Sequence, residues 1–128
     1  DEEKEKQIKE VFAQYLPDKN LKIDIKELKN KELPAMIVNP EQMRRLQEMT
    51  AMMSGKKIDM GFLGDQVILN GRSETILNLP LVNSSDAKKA EELVNQIFDI
   101  ACLAAGKLKG ERLSSFVNRS YQYLNSTK

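Results

Sequence analysis

The chain has 128 residues, of which 41% are hydrophobic and 30% are charged, and its formal net charge is +1. This length suits one domain with one core, and the balanced charge argues against a nucleic-acid binder, which usually gathers basic residues on one face. No apolar run approaches the roughly 18 to 20 residues that cross a bilayer, so the sequence predicts no membrane contact. The single cysteine, Cys102, fits a reducing compartment, and the charged start is unlike a secretory signal, so we expect a cytoplasmic protein.

The first half of the chain predicts a helix, two strands and a second helix. Apolar residues recur at the spacing of an amphipathic helix over 3–16, and Pro17 ends that pattern. Apolar and polar residues alternate over 21–26, which indicates a half-buried strand, and the apolar run 34–38 suggests its neighbour in a sheet. An Asn-Pro-Glu-Gln sequence then predicts the start of a helix over 39–54.

The second half predicts a third strand and a pair of long helices. A short strand over 67–69 is followed by an Asn-Gly turn, and a helical turn is expected over 74–79, before a proline. The most clearly predicted element is a helix over 86–105, with a glycine just past its end. The final helix is predicted over 111–124.

The order of elements predicts one α+β domain over 1–128, with a small mixed sheet and flanking helices in about 1–80 and a helical hairpin in 86–125. The first helix of the hairpin is apolar on more than one face, so more than one neighbour must cover it. Two hairpins related by a two-fold axis would form a four-helix bundle across a dimer. A monomer with this helix at its centre is the alternative. The predicted dimer interface consists of Ala90, Leu93, Val94, Ile97, Phe98, Ile100, Ala101, Ala104, Leu113, Phe116, Val117, Tyr121 and Leu124.

The predicted helix over 39–54 has a methionine-rich face, since four of the six methionines fall between residues 43 and 53. Methionine has an unbranched, polarisable side chain, and proteins that bind many different sequences often use it. The competing interpretation is that this face packs on the neighbouring strands. The candidate contact residues are Met43, Leu46, Met49, Met52 and Met53.

Residues that usually carry catalysis are missing from the sequence. It contains no histidine, no phosphate-binding glycine loop and no metal-ligand spacing, so we expect no catalytic residue, metal or cofactor in this chain. Asp99 lies inside the apolar helix, where we expect a structural ion pair with Arg112 or Arg119. Cys102 is expected to pack as a small buried hydrophobe.

Five segments of the chain resemble segments of one known family, in the same order. Residues 92–106 read Glu-Leu-Val-Asn-Gln-Ile-Phe-Asp-Ile-Ala-Cys-Leu-Ala-Ala-Gly and resemble the penultimate helix of heat-shock protein 90 chaperones. The strand 33–38 has the family's Pro-Ala-apolar-Val pattern, and similar likenesses cover 8–28, the methionine-bearing 41–55 and the closing 113–124. The family's Asn-Pro-x-His-Pro turn is replaced here by Asn-Gly-Arg-Ser-Glu. No Glu-Glu-Val-Asp tail is present, so the chain resembles the bacterial form, high-temperature protein G.

The resemblance implies a fragment of a longer ATP-dependent chaperone, which assists protein folding under stress and binds unfolded client proteins. It implies a homodimer joined by the last two helices of each copy, and a methionine-bearing helix that touches client. The ATP and magnesium site, with the ATPase activity, would lie in N-terminal and middle domains outside this chain. The alternative is a dimeric adaptor or regulatory domain unrelated to chaperones.

Overall fold

A computed structural model describes residues 1–54 and 64–127, with side chains described up to residue 49 and again from residue 64. Within these ranges the chain is an α+β domain with a three-stranded mixed sheet, as the sequence predicts. Met52 and Met53 lie in a helix, but their side chains fall outside the described residues. The elements in chain order are α1 (Glu2–Tyr15), β1 (Lys22–Lys26), β2 (Ala35–Val38), α2 (Pro40–Ser54), β3 (Gln66–Asn70), α3 (Glu74–Leu77), α4 (Leu79–Ser85), α5 (Ala87–Ala104) and α6 (Gly110–Ser126).

The sheet has the strand order β1-β3-β2, so the expectation that β2 lies beside β1 is wrong. Strand β3 lies between them, parallel to β1 and antiparallel to β2. All five residues of β3 are buried, whereas those of β1 are only half-buried. A short, continuously apolar strand is covered on both faces and suits the centre, while an alternating strand suits an edge.

The two faces of the sheet belong to two apolar clusters, because neighbouring side chains of a strand point to opposite sides. The larger cluster joins Val67 and Leu69 of β3 to α1, α4 and α5, and Phe12 and Val94 are among its fully buried members. The smaller cluster places Ile68 against the start of α2. Helix α5 therefore packs one of its faces inside its own domain.

The segment after β3 forms two helices where the sequence predicted one helical turn over 74–79. Ser73 caps α3, since its hydroxyl accepts a hydrogen bond from the Ile76 amide at 3.4 Å. Pro80 lies in the first turn of α4, where a backbone amide has no intrahelical partner and its loss costs little. The proline therefore begins a helix here instead of ending one.

Helices α5 and α6 form the predicted hairpin. The Asp86 carboxylate caps α5 by accepting a hydrogen bond from the Lys89 amide at 3.1 Å. Gly106 follows α5 with φ 72°, in the left-handed region that suits glycine, and the Lys107 amide bonds back to the Cys102 carbonyl at 2.8 Å. This turn brings α6 back against α5.

Candidate functional site

Helix α6 has almost no cover from its own chain, and none of its residues is buried. Leu113 and Val117 are each 37% exposed, Tyr121 is 59% exposed and Leu124 is 61% exposed. These side chains recur at intervals of four, four and three residues, so they form one line along the helix. We call these four residues the α6 stripe. Contiguous exposed apolar surface of this kind is typical of interaction sites.

Helix α5 adds exposed apolar side chains next to its contact with α6. Ile100 is 40% exposed and Leu103 is 49% exposed, while Ala104 is also exposed and Leu93 is half-buried. Ile100 directly follows Asp99, which is a point of contact between the two helices. The exposed surface of the hairpin therefore draws on both helices.

Five residues of the predicted interface lie in the core of the single chain. The most exposed of them keeps only 6% of its surface accessible there. Helix α5 has two apolar faces, and these residues lie on the one that the sheet and the other helices cover. Their part in a dimer interface stays a prediction; the residues are Ala90, Val94, Ile97, Phe98 and Ala101.

The remaining predicted residues stay accessible to a partner, and Leu103 joins them. Phe116 is half-buried against the main cluster, so it contributes part of its ring to the domain itself. Leu103 lies on the same apolar side of α5 as Leu93 and Ile100. Its exposure in the fold is the feature that distinguishes this side from the buried one. Helical spacing alone identifies two apolar lines on α5, one through Val94 and Ile97 and one through Ile100 and Leu103. It does not show which of them is exposed.

The α6 stripe lies on a surface with little charge. Residues 113–127 contain one charged side chain, Arg119, although 30% of the whole chain is charged. Its guanidinium is bonded to Asp99 of α5. A helix that faces water normally carries charged residues on that side, whereas the cores of protein interfaces are depleted in charge. The composition of α6 thus indicates an interface.

Asp99 is a buried carboxylate that binds both arginines of α6. Only 2% of its side chain is exposed. Arg112 Nη2 lies 2.5 Å and Nε 2.8 Å from Oδ1, and Arg119 Nη2 lies 2.6 Å from Oδ2. The guanidiniums also donate to Asn95 Oδ1 at 3.2 Å and to Gln96 Oε1 at 2.9 Å. The expected ion pair is confirmed, with both arginines as partners. We call these five residues the Asp99 cluster.

The same arginines contact aromatic rings. The guanidinium carbon of Arg112 lies 5.4 Å from the centroid of the Phe98 ring, and that of Arg119 lies 5.7 Å from the Phe116 ring. Both distances fall in the range of cation–π contacts. The seam between α5 and α6 is therefore held largely by charged and polar groups, with Phe116 as its apolar member.

The methionine-rich face of α2 divides between core and surface. Met43 is 4% exposed and packs with Val38 and Ile68 in the smaller cluster, so within this chain it belongs to the core. Leu46 is half-buried against the same cluster, while Met49 is 55% exposed. The start of the helix is anchored on the sheet, and the exposed part begins further along.

Cys102 lines a groove of about 380 Å³ between the sheet and the hairpin. Burial raises the pKa of the Cys102 thiol above its ordinary value of 9.0, and the Asp99 charge raises it further, against the opposing effects of Arg112 and Lys107. Only 8% of the residue is exposed. The thiol is therefore protonated at neutral pH and packs as the small hydrophobe that the sequence predicted.

A scan against protein-family models finds no model that matches this chain, and a search of curated proteins finds no match. Across residues 1–54 and 64–127, no group of three or more His, Cys, Asp or Glu side chains is placed to hold a metal ion. None of the helices in those ranges has the length and apolar character needed to cross a membrane. The exposed surface of the hairpin is the feature from which a function can be argued.

Proposed function

We propose that this chain is the C-terminal homodimerisation domain of a heat-shock protein 90 chaperone, in which α5 and α6 of two copies form a four-helix bundle. The sequence resemblance over 92–106 and 113–124 supports the family, and both segments fall on these helices. The observation that carries the proposal is the α6 stripe, which a single chain leaves exposed. A cytoplasmic location would fit such a chaperone.

A second copy suits this face better than a charged partner does. In a two-fold interface the same surface patch lies on both sides, so a patch with charge of one sign would repel its own copy. The stretch 113–127 has no charge outside the Asp99 cluster and brings no such repulsion. An adaptor that binds an acidic or basic partner would instead need complementary charge on this face.

The apolar area is of the right order for a dimer. The stripe contributes four side chains from each copy, each about half exposed, so burying them gives about 1 kcal/mol apiece or roughly 8 kcal/mol in total. Association costs about 4 to 15 kcal/mol. The stripe alone is therefore marginal, and Ile100 and Leu103 of α5 must add to it for a stable dimer.

Dimerisation at one end would serve a chaperone whose ATPase arms meet transiently. A tether makes that meeting intramolecular, with effective concentrations in the millimolar range. In this proposal, ATP and magnesium bind the other domains of the whole protein. Among the side chains that the structure describes, Met49 is the candidate for contact with unfolded client protein. The same role for Met52 and Met53 remains a prediction.

The test is the oligomeric state of the chain and of one charged variant. Val117→Asp places a carboxylate on the α6 stripe, so sedimentation should show a folded monomer where the parent chain is a dimer. Ser115→Asp is the matched control, because it adds the same charge at an exposed position on another side of α6. A parent chain that stays monomeric at high concentration would refute the proposal.

Charged substitutions at two other residues of the predicted interface, Ile97 and Phe116, are less informative about dimerisation. Ile97 is 5% exposed, so Ile97→Asp buries a charge in the core and unfolds the chain. Phe116→Asp removes a ring that packs partly on the domain itself. A variant on the stripe separates loss of the dimer from loss of the fold.

A further inference from the structure

One buried acid is the shared centre of the polar contacts that attach α6 to its domain. No residue of α6 is buried, yet both of its arginines reach the Asp99 carboxylate of α5. We infer that Asp99 is a positioning residue for self-association: it fixes the rotation of α6 about its own axis and so presents the α6 stripe to a second copy. This inference rests on the proposed dimer.

The spacing of the arginines explains how one carboxylate sets this rotation. Arg112 and Arg119 are seven residues apart, which is about two helical turns, so they project from the same side of α6. Phe116 lies between them and contacts the Arg119 guanidinium. The two arginines contact the same carboxylate from positions about two turns apart. Helix α6 therefore has little freedom to rotate about its own axis.

The stripe follows from this arrangement. At about 100° per residue, Leu113, Val117 and Leu124 project roughly 100° to 140° from the direction of Arg112, and Tyr121 about 180°. With the arginines turned to Asp99, these side chains must face away from α5. Their exposed fractions of 37% or more agree with that orientation.

Asp99 also neutralises charge within the hairpin that would form the dimer. Without its carboxylate, the two guanidiniums would be unpaired at the contact of α6 with α5, and a dimer would contain four such cations. Like charges across an interface oppose association. Asp99 therefore favours association in two ways, by orienting α6 and by pairing the charges of its arginines.

The experiment compares Asp99→Asn with Glu91→Gln, which removes the same charge from an exposed position on α5. Sedimentation of the whole chain gives the dimer dissociation constant. We expect Asp99→Asn to raise it by about tenfold or more, since charged hydrogen bonds are lost. Glu91→Gln should leave it within about twofold of the parent value.

A second readout measures the rotation of α6 without any dimer. In a monomeric Val117→Asp, Cys102→Ala background, spin labels at Lys88→Cys and Gln122→Cys report the distance from α5 to α6. With Asp99 in place, the distribution of distances between the two labels should be narrow. With Asp99→Asn it should be broader and shifted, while the helix content is unchanged. If Asp99→Asn does not fold, Arg119→Gln keeps the Arg112 pair and should shift both readouts in the same direction by less.

The outcomes separate the two proposals. A parent dimer that Asp99→Asn leaves within about twofold, with an unchanged label distance, overturns the positioning role and leaves the dimer standing. A parent chain that is monomeric overturns both the proposed function and the positioning role. Weaker association together with a shifted label distance supports the inference.

Discussion

At the scale of single residues, Asn70 has a role that its sequence context does not reveal. Its Oδ1 accepts hydrogen bonds from the Leu28 and Arg72 amides, both at 3.0 Å, and its Nδ2 donates to the Asn30 and Leu33 carbonyls at 2.9 and 2.8 Å. One fully buried side chain thus satisfies four backbone groups. The Asn-Gly pair predicted a turn, but partners some 40 residues away are a property of the fold.

Asp99 and Cys102 show what residue chemistry does predict. An acid among the apolar residues of 97–105 requires a cation, and the nearest arginines in sequence supplied the correct partners. A lone cysteine among apolar residues correctly indicated burial. Both inferences depend on local composition, which survives whatever the long-range topology is.

The Cys102 thiol makes stability depend on pH in alkaline solution. Its pKa is raised in the folded chain, whereas in the unfolded chain it has the ordinary value of 9.0. As pH rises above about 9, the unfolded chain loses this proton first, so the free energy of unfolding falls until the folded thiol also ionises. We expect urea denaturation to show this loss as the pH rises above about 9.

Cys102→Ala is the control for that measurement, because the two proteins share every ionisable group except the thiol. The difference between the two pH profiles isolates the thiol. Parallel profiles across this range would mean that the thiol has the same pKa in the folded and unfolded chains.

An added charge should lower stability much more at Met43 than at Met49 of the methionine-rich face. Met43→Lys places an ammonium in the cluster with Val38 and Ile68, so we expect the free energy of unfolding to fall by about 3 kcal/mol or more. Met49→Lys changes an exposed side chain and should alter it by less than about 0.5 kcal/mol. Chemical denaturation gives both values.

Binding of an unfolded model protein by the same two chains tests the contact role. Met49→Lys should weaken that binding while the fold persists. Equal binding by Met49→Lys and the parent chain would count against Met49 as a contact residue, and a large loss of stability would place it in the core.

At the scale of elements, local patterns predicted most helices and strands within one or two residues. The exceptions have specific causes. Pro80 suited either the end of one helix or the start of the next, and only the burial of Leu79 against the core decides between them. The position of β3 between β1 and β2 depends on pairing between residues 28 to 44 positions apart in the chain, which no local pattern contains.

Helix α6 should be the least stable helix of the hairpin when a partner is absent. It has no buried residue, whereas seven residues of α5 are buried. Segments with few buried contacts open locally at low free energy. In the Val117→Asp monomer, we expect amide hydrogens of 120–126 to exchange at least about tenfold faster than those of 94–102.

In the parent chain at high concentration, the same amides of α6 should exchange more slowly, because a second copy covers the helix. The Ser115→Asp chain provides the comparison with an equal charge change. Equal exchange of α6 in the dimeric and monomeric chains would show that the partner covers a different surface.

At the scale of the whole molecule, the sequence indicated an excess of apolar surface on the hairpin but not where that excess lies. Helix α5 offers two apolar lines at helical spacing, and both satisfy the same pattern. The sheet, α1 and α4 cover the line through Val94 and Ile97, which leaves the other line exposed. Choosing between them requires the tertiary packing, so the predicted interface drew residues from both lines.

A dimer that buries this surface must be more stable when it is more concentrated. A partner that binds only the folded chain stabilises it by mass action, so the thermal midpoint rises with protein concentration. For a domain of this size, about 1 kcal/mol of added stability raises the midpoint by about 2 to 8 °C. Calorimetry over a hundredfold range of concentration should therefore show an upward trend in the parent chain and in Ser115→Asp, and none in Val117→Asp. A midpoint that is independent of concentration in all three chains, with the parent monomeric, would mean that the α6 stripe does not bind a second copy.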